Sequence, residues 1–208
     1  MSAVAMRGEY DVTNVPLITS RSILLGLVES LLVAIGGVLS RMFDGPLEFI
    51  IVGLVVLVGL AIVTLMPGTW TRARTIEGIA GAAGIGLGAA GVFLLIDVAL
   101  LQPLGLYTHR WHAIGGNSNW WYHPVWWMVG TFIPWMGAFI LASQETRNGR
   151  TSPVGGFAIV LAATAVVGAV AVLVGFPGAG WNLGTFVVAF LPGVAIAALV
   201  GWMSARRA

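Results

Sequence analysis

Six uninterrupted apolar runs constrain the fold of this chain more than any other feature. A helix needs about 20 apolar residues to cross the hydrocarbon core of a membrane, and only helices and closed barrels satisfy their backbone groups there. Because these runs do not alternate polar and apolar residues, they indicate helices rather than barrel strands. The predicted fold class is all-α, a polytopic membrane protein whose six transmembrane helices form a bundle. The runs lie at about 20–40, 46–66, 76–101, 121–143, 153–175 and 181–204.

The composition supports a membrane protein and gives little support to a nucleic-acid partner. Hydrophobic residues make up 58% of the chain and charged residues only 9%, whereas soluble domains average about 25% charged residues. The sequence pI is about 9.7, but the basic residues are all arginines spread thinly between apolar runs. Membrane lipid and other membrane protein subunits are therefore the expected partners, and nucleic acid is not.

The positions of the arginines predict the orientation of the bundle. If six helices cross the membrane, only Arg41 and Arg110 fall at one end. The other end, called here the arginine-rich end, carries Arg7, Arg21, Arg72, Arg74, Arg147, Arg150, Arg206 and Arg207. The positive-inside rule places this end in the cytoplasm together with both chain termini.

The start of the chain lacks the basic stretch and apolar core of a cleaved signal peptide. We therefore expect a cytoplasmic tail over residues 1–19 and a membrane domain over residues 20–204. A multi-pass protein of a bacterial-type cytoplasmic (inner) membrane is the expected localisation.

An aromatic segment marks the end opposite the arginines. The loop at about 102–120 is the one sizeable polar segment outside the predicted helices, and the stretch NWWYHPVWWMVG follows at 119–130. Tryptophan favours the interface between lipid and water, so an aromatic belt explains most of these residues, and their density also suits a docking surface for a protein or a flat cofactor. The predicted aromatic cap comprises Trp111, Trp120, Trp121, Tyr122, Trp126 and Trp127, while Trp135 lies well inside the fourth helix.

Two acids lie within the apolar runs, Glu29 in the first and Asp97 near the outer end of the third. Ionisable groups at membrane depth are costly and commonly functional. Each acid has two interpretations that the sequence leaves open: a proton or cation site, or a hydrogen-bonded structural group. Glu48 and Glu77 lie at helix starts, where the helix dipole accounts for an acid.

All three histidines lie in the outer region, and His109, His112 and His123 with Asp97 form a candidate metal or ligand site. Imidazole with carboxylate suits zinc, copper or iron. The His-x-x-His spacing lacks the glutamate of zinc hydrolases, and there is no cysteine to add a thiolate. Water and backbone contacts at the interface explain the same histidines, so the cofactor stays unknown.

Small residues and prolines predict how the helices pack. Gly84 and Gly88 occur in a G-x-x-x-G pattern in the third run, which favours close helix association in lipid. That association is either internal or with a partner subunit. Pro134 and Pro192 are expected to kink the fourth and sixth helices.

In outline the chain resembles bacterial haem-handling proteins of cytochrome c maturation. The common features are about six helices, a cytoplasmic N-terminus and a tryptophan-rich outer segment between helices three and four. That family has a tryptophan-rich motif ending in Trp-Asp, with histidines in two other outer loops. Here the segment reads NWWYHPVWW without Trp-Asp, and the other outer loops, RMFDG and FPGAG, contain no histidine. The resemblance is therefore one of topology.

These observations lead to two hypotheses about function. The first is a non-catalytic membrane subunit or assembly factor that docks through the aromatic cap and the glycine-rich helix face. The second is a small membrane carrier or a metal- or haem-handling protein that uses Glu29, Asp97 and the outer histidines. No catalytic residue is predicted, and a lipid-modifying enzyme ranks last because the paired acidic motifs of magnesium-dependent chemistry are absent.

Overall fold

A computed structural model gives the architecture of the chain. It describes residues 9–10, 12–107 and 122–206, with residues 122–124 described by their backbone alone. A π-helical turn, Asp97–Leu101, continues the third helix. In the described ranges six helices are long and apolar enough to cross a membrane, which confirms the predicted helical bundle. The helices are α1 (Val15–Met42), α2 (Gly45–Trp70), α3 (Ile76–Ile96), α4 (Tyr122–Asn148), α5 (Pro153–Leu173) and α6 (Leu183–Ala205).

Short polar side chains determine where four of these helices begin. The side chains of Asn14, Thr75, Ser152 and Asn182 each accept a hydrogen bond from the backbone N–H three residues later. Such N-caps satisfy donors that have no partner inside the helix. Because Asn14 and Pro16 start the helix ahead of its apolar run, α1 takes in residues 15–19 of the segment predicted to be a tail.

Helix α4 is the centre of the bundle and packs against α2, α3 and α6. Helix α1 lies mainly against α3 and also contacts α2, whereas α5 lies mainly against α6. A large cluster of buried apolar side chains joins α4, α5 and α6, and it includes Ile133, Ile140, Val160, Phe190 and Val194. The helix most central in space is thus the one that carries the end of the tryptophan-rich stretch.

Glycines allow the helices to approach one another closely. At several glycines in the helix contacts, an added methyl group would overlap atoms of the neighbouring helix, in most cases backbone atoms. Small residues serve this purpose in membranes because they bring more atoms of two helices into van der Waals contact. Three such contacts are Gly86 of α3 with Gly130 of α4, Gly137 of α4 with Thr64 of α2, and Gly193 of α6 with Thr164 of α5.

Prolines occur inside three helices, at Pro67 in α2, Pro134 in α4 and Pro192 in α6. Helices α4 and α6 continue through their prolines, so kinks at Pro134 and Pro192 stay a prediction. Gly86 of α3 faces the Pro134 ring, and a side chain there would overlap it. The glycine therefore makes room for the proline where α3 crosses α4.

Candidate functional site

Much of the predicted outer site lies outside the described residues. This applies to His109, His112, Trp111, Trp120 and Trp121, and to the side chains of Tyr122 and His123. The described residues include no group of three or more His, Asp or Glu side chains arranged to hold a metal ion. The histidine and aspartate site therefore stays a prediction, and Asp97 is its one member with a described side chain.

Asp97 is fully buried, with 0% of its surface exposed, where α3 changes to the π-helical turn. Its carboxylate accepts a hydrogen bond of 2.6 Å from Nε2 of Gln102 and another from the hydroxyl of Tyr107. The turn makes the first contact possible because it brings residue 102 back over residue 97, with the backbone N–H of Gln102 donating to the Asp97 carbonyl. Asp97 thus ties the segment that leaves α3 to the end of that helix.

Glu29 has a different environment, in the middle of α1. It shares a helix face with Leu25, Gly26 and Val33, the face that packs against α3 and α2. The side chain is half-buried, and no hydrogen bond or ion pair reaches its carboxylate from the described part of the chain. An acid that faces the inside of a bundle without a partner is unusual at membrane depth.

The two acids are separate features of the bundle. Val33 lies one turn after Glu29 and packs near Phe93, and Asp97 lies one turn after Phe93. Because α1 and α3 run in the same direction, the two carboxylates differ by about two turns, on the order of 10 Å along the axis. The structure therefore does not bring Glu29 and Asp97 into one site.

The two tryptophans of the predicted aromatic cap that the structure describes have different environments. The Trp126 ring lies 4.7 Å from the ring of Phe93 on α3, centroid to centroid, so it belongs to the packed interior. The Trp127 side chain is 45% exposed. Only Trp127 of this pair is available to a surface outside the bundle.

Trp127 begins an exposed face in the N-terminal half of α4, called here the α4 stripe. Trp127, Thr131 and Trp135 recur every four residues, and Met128 lies beside Trp127 on the same side of the helix. Met128 is 71% exposed and Trp135 is 43% exposed. Trp135 lies thirteen residues after Tyr122 and thirteen before Asn148, at the midpoint of the helix.

The indole of Trp135 contacts Phe139 one turn away, with ring centroids 6.0 Å apart. Its N–H has no hydrogen-bond acceptor among the described residues. The sequence marked Trp135 as an exception to the interfacial tryptophans, but it did not show that the side chain faces outward. That direction depends on which face of α4 the other helices cover.

Gly84 and Gly88, the predicted packing pair, face α1 of the same chain. A side chain at Gly84 would meet Ile18, and one at Gly88 would overlap Ser22. The Ser22 hydroxyl also donates a 3.2 Å hydrogen bond across the interface to the carbonyl of Ile85. The glycine pair is thus occupied by an internal helix contact.

Glu48 is a buried acid that sequence reasoning assigned to the helix dipole alone. Its side chain is 8% exposed and accepts a 2.6 Å hydrogen bond from the Ser40 hydroxyl, which joins the end of α1 to the start of α2. It also lines a cavity of about 260 Å³ with Phe49, Val52 and Leu183. Its position next to a short hairpin was the available signal for this contact.

The arginine-rich end is held together by polar contacts between helix termini. Arg74 forms a 2.9 Å ion pair with Glu145 of α4. The Arg21 guanidinium lies 5.4 Å from the Trp70 ring centre, and the Arg72 guanidinium 4.1 Å from that of Tyr10. A hydrogen bond to Glu9 raises the pKa of Tyr10 above its usual value, so the ring beside Arg72 is uncharged at neutral pH.

A comparison of the chain with protein families, curated proteins and solved structures found no match.

Proposed function

We propose that this protein is a non-catalytic integral membrane subunit or assembly factor of a larger membrane complex. The observation that carries the proposal is Trp135, which is 43% exposed at the midpoint of α4 and has no acceptor for its N–H among the described residues. Tryptophan normally lies at the membrane interface, where its N–H reaches water or headgroups. A donor facing hydrocarbon forms no hydrogen bond, and this costs free energy.

A transmembrane helix of another protein, packed on the α4 stripe, would remove that cost. It would supply a hydroxyl or carbonyl oxygen at mid-depth as the acceptor for the indole N–H. Tryptophan and methionine are enriched in the cores of protein interfaces, and the stripe exposes two tryptophans and a methionine within about two helical turns. The stripe of a second copy offers one hydroxyl, that of Thr131, which already bonds the Trp127 carbonyl of its own helix, so another protein suits the stripe better.

The proposal differs in one respect from the sequence-based hypothesis, which included the glycine-rich helix face in the docking surface. Gly84 and Gly88 already pack against Ile18 and Ser22 of α1, so the proposed docking face is the α4 stripe together with the predicted aromatic cap. The glycine pair then stabilises the subunit itself.

Site-specific photo-crosslinking in native membranes tests the docking face. A photoreactive amino acid replaces Trp135, and a control replaces Val166, which is 63% exposed near the middle of α5. We expect position 135 to form a stoichiometric crosslink to one membrane protein and position 166 to crosslink lipid. The same protein should co-purify with the unmodified chain in mild detergent, and the substitution Trp135→Ala should weaken this association. Lipid adducts alone at both positions would exclude the α4 stripe as an interface.

A second candidate function is a small membrane carrier, or a metal- or haem-handling protein, and Glu29 is the observation in its favour. The carboxylate faces the contact between α1, α2 and α3 without a partner in the described ranges. Intramembrane acids in this position commonly bind a proton or a cation on a transport pathway. In this function Glu29 is the coupling acid, and Asp97 with the outer histidines receives the ligand.

Purified protein in sealed vesicles separates the two functions. With an internal pH dye and an imposed potassium diffusion potential, a proton-coupled carrier moves protons, and Glu29→Gln lowers the rate at least tenfold. Ser30→Ala, one position away, serves as the matched control, because the Ser30 hydroxyl bonds the Gly26 carbonyl of its own helix. Proton movement no faster than in empty vesicles would remove the support for a proton carrier.

A further inference from the structure

A second cavity lies at the arginine-rich end, between the turn that follows α2 and the turn that follows α4. Its volume is about 180 Å³. Arg72 and Arg74 line it on one side and Thr151 on the other, while Leu141 and Gly68 lie toward the membrane side. The lining thus combines two arginines and a threonine from the turns with small and apolar residues from the helices.

Arg72 occupies a backbone conformation that normally belongs to glycine. Its φ angle is +44°, and no other non-glycine residue in the described ranges has a positive φ. Helix α2 ends in a Schellman motif, in which the N–H of Arg72 bonds the Thr69 carbonyl and the N–H of Ala73 bonds the Gly68 carbonyl. Glycine is the usual residue at this position because a side chain there is strained. A strained arginine is retained where its side chain has a use.

Both guanidinium groups already contact a neighbouring side chain, which restricts the conformations of these two exposed arginines. Arg72 lies against the ring of Tyr10, and Arg74 is paired with Glu145. Fixing long side chains in advance lowers the entropy lost when a ligand binds. The residues that line the cavity include two arginines and no acid, and the Thr151 hydroxyl has no hydrogen-bond partner among the described residues.

We propose that this cavity binds a phosphate group, supplied by the headgroup of an anionic phospholipid or by phosphate from solution. Arginine matches phosphate geometry because its planar guanidinium donates two parallel hydrogen bonds. The Thr151 hydroxyl donates a further bond, and Leu141 with Gly68 lies where the glycerol of a lipid would begin. Basic pockets between helices at the cytoplasmic surface are suited to anionic headgroups, and the positive-inside rule predicts that surface here. This site is independent of the α4 stripe, which lies in the opposite half of the bundle.

Native mass spectrometry of the full-length protein in neutral micelles tests the site, with phosphatidic acid as the lipid probe. The informative variant is Arg72→Gly, because glycine removes the guanidinium and suits the left-handed backbone. The control is Arg206→Gln, which removes an arginine at the same end whose guanidinium lies over Trp202 at 4.0 Å. Thr151→Val is a second variant at an exposed position. Inorganic phosphate is then added as a soluble competitor.

We expect Arg72→Gly to weaken lipid retention about tenfold or more, as for the loss of a charge-assisted hydrogen bond, and Thr151→Val to weaken it about threefold to tenfold. Arg206→Gln should match the wild type. Displacement by millimolar phosphate would identify a site for phosphate from either source, and retention despite phosphate would identify a lipid site. Equal losses for Arg72→Gly and Arg206→Gln would mean diffuse charge attraction and overturn the proposal. So would a wild type that binds neither probe.

Discussion

Asp97 and Glu29 are both acids within membrane-spanning helices, yet their surroundings differ in kind. Asp97 is fully buried and receives hydrogen bonds from Gln102 and Tyr107, both within ten residues along the chain. Glu29 is half-buried at mid-helix and receives none from the described residues. A buried acid that accepts hydrogen bonds stabilises the fold. A buried acid that accepts none lowers stability, and it is expected to serve ligand or proton binding rather than folding.

The largest expected effect is at Asp97. Asp97→Ala removes the buried acceptor of the hydrogen bonds from Gln102 and Tyr107, so the free energy of unfolding should fall by about 3 kcal/mol. Unfolding in mixed micelles with an increasing fraction of denaturing detergent measures this change. Asp97→Asn keeps one acceptor oxygen and should lose less. A change in the free energy of unfolding below about 0.5 kcal/mol, the size of an ordinary surface substitution, would show that Asp97 does not stabilise the fold and so does not differ from Glu29 in this respect.

A smaller effect of opposite sign is expected at Glu29. Glu29→Leu replaces an unpaired carboxylate by an apolar group of similar size, so the isolated protein should gain about 1 to 2 kcal/mol of stability. The same detergent titration applies, with Ser30→Ala as the neighbouring control. A loss of stability comparable to that of Asp97→Ala would show that Glu29 also has a structural partner.

The smallest effect is expected at Tyr107, and it separates the two donors of Asp97. Tyr107→Phe removes one hydroxyl and keeps the ring in the apolar cluster around Phe93 and Leu101, so the loss should be about 1 kcal/mol. A double-mutant cycle with Asp97→Ala measures the coupling between the two side chains. If the two losses simply add, the hydrogen bond between them contributes nothing to stability.

The helices themselves were predictable because their signals are local. The runs at 76–101 and 153–175 correspond closely to Ile76–Leu101 and Pro153–Leu173. The apolar run alone predicts a start for α1 near residue 20, whereas the helix begins at Val15 because Asn14 caps it and Pro16 follows. The π-helical turn at Asp97 was not foreseen, since its hydrogen-bond pattern has no clear signature in residue type.

Side-chain environments were much harder to predict from the sequence. Gly84 and Gly88 were recognised as packing residues, but nothing in their spacing indicates that α1 covers them. Trp126 and Trp127 are adjacent in sequence, yet the first packs on Phe93 and the second is 45% exposed. Arg72 and Thr151 are 79 positions apart and line one cavity. Each of these facts depends on which helices are neighbours, and that is not a local property.

The sequence by itself determined that this protein is a bundle of apolar helices, because long apolar runs without alternation indicate helices rather than barrel strands in lipid. It also determined which residues are chemically unusual: two intramembrane acids, an excess of tryptophan and arginines concentrated at one end. Only the tertiary structure decided which acid accepts hydrogen bonds, which tryptophans face outward and which arginines share a cavity. The physical reason is that hydrogen-bond partners and exposed faces arise when helices distant in the chain pack together.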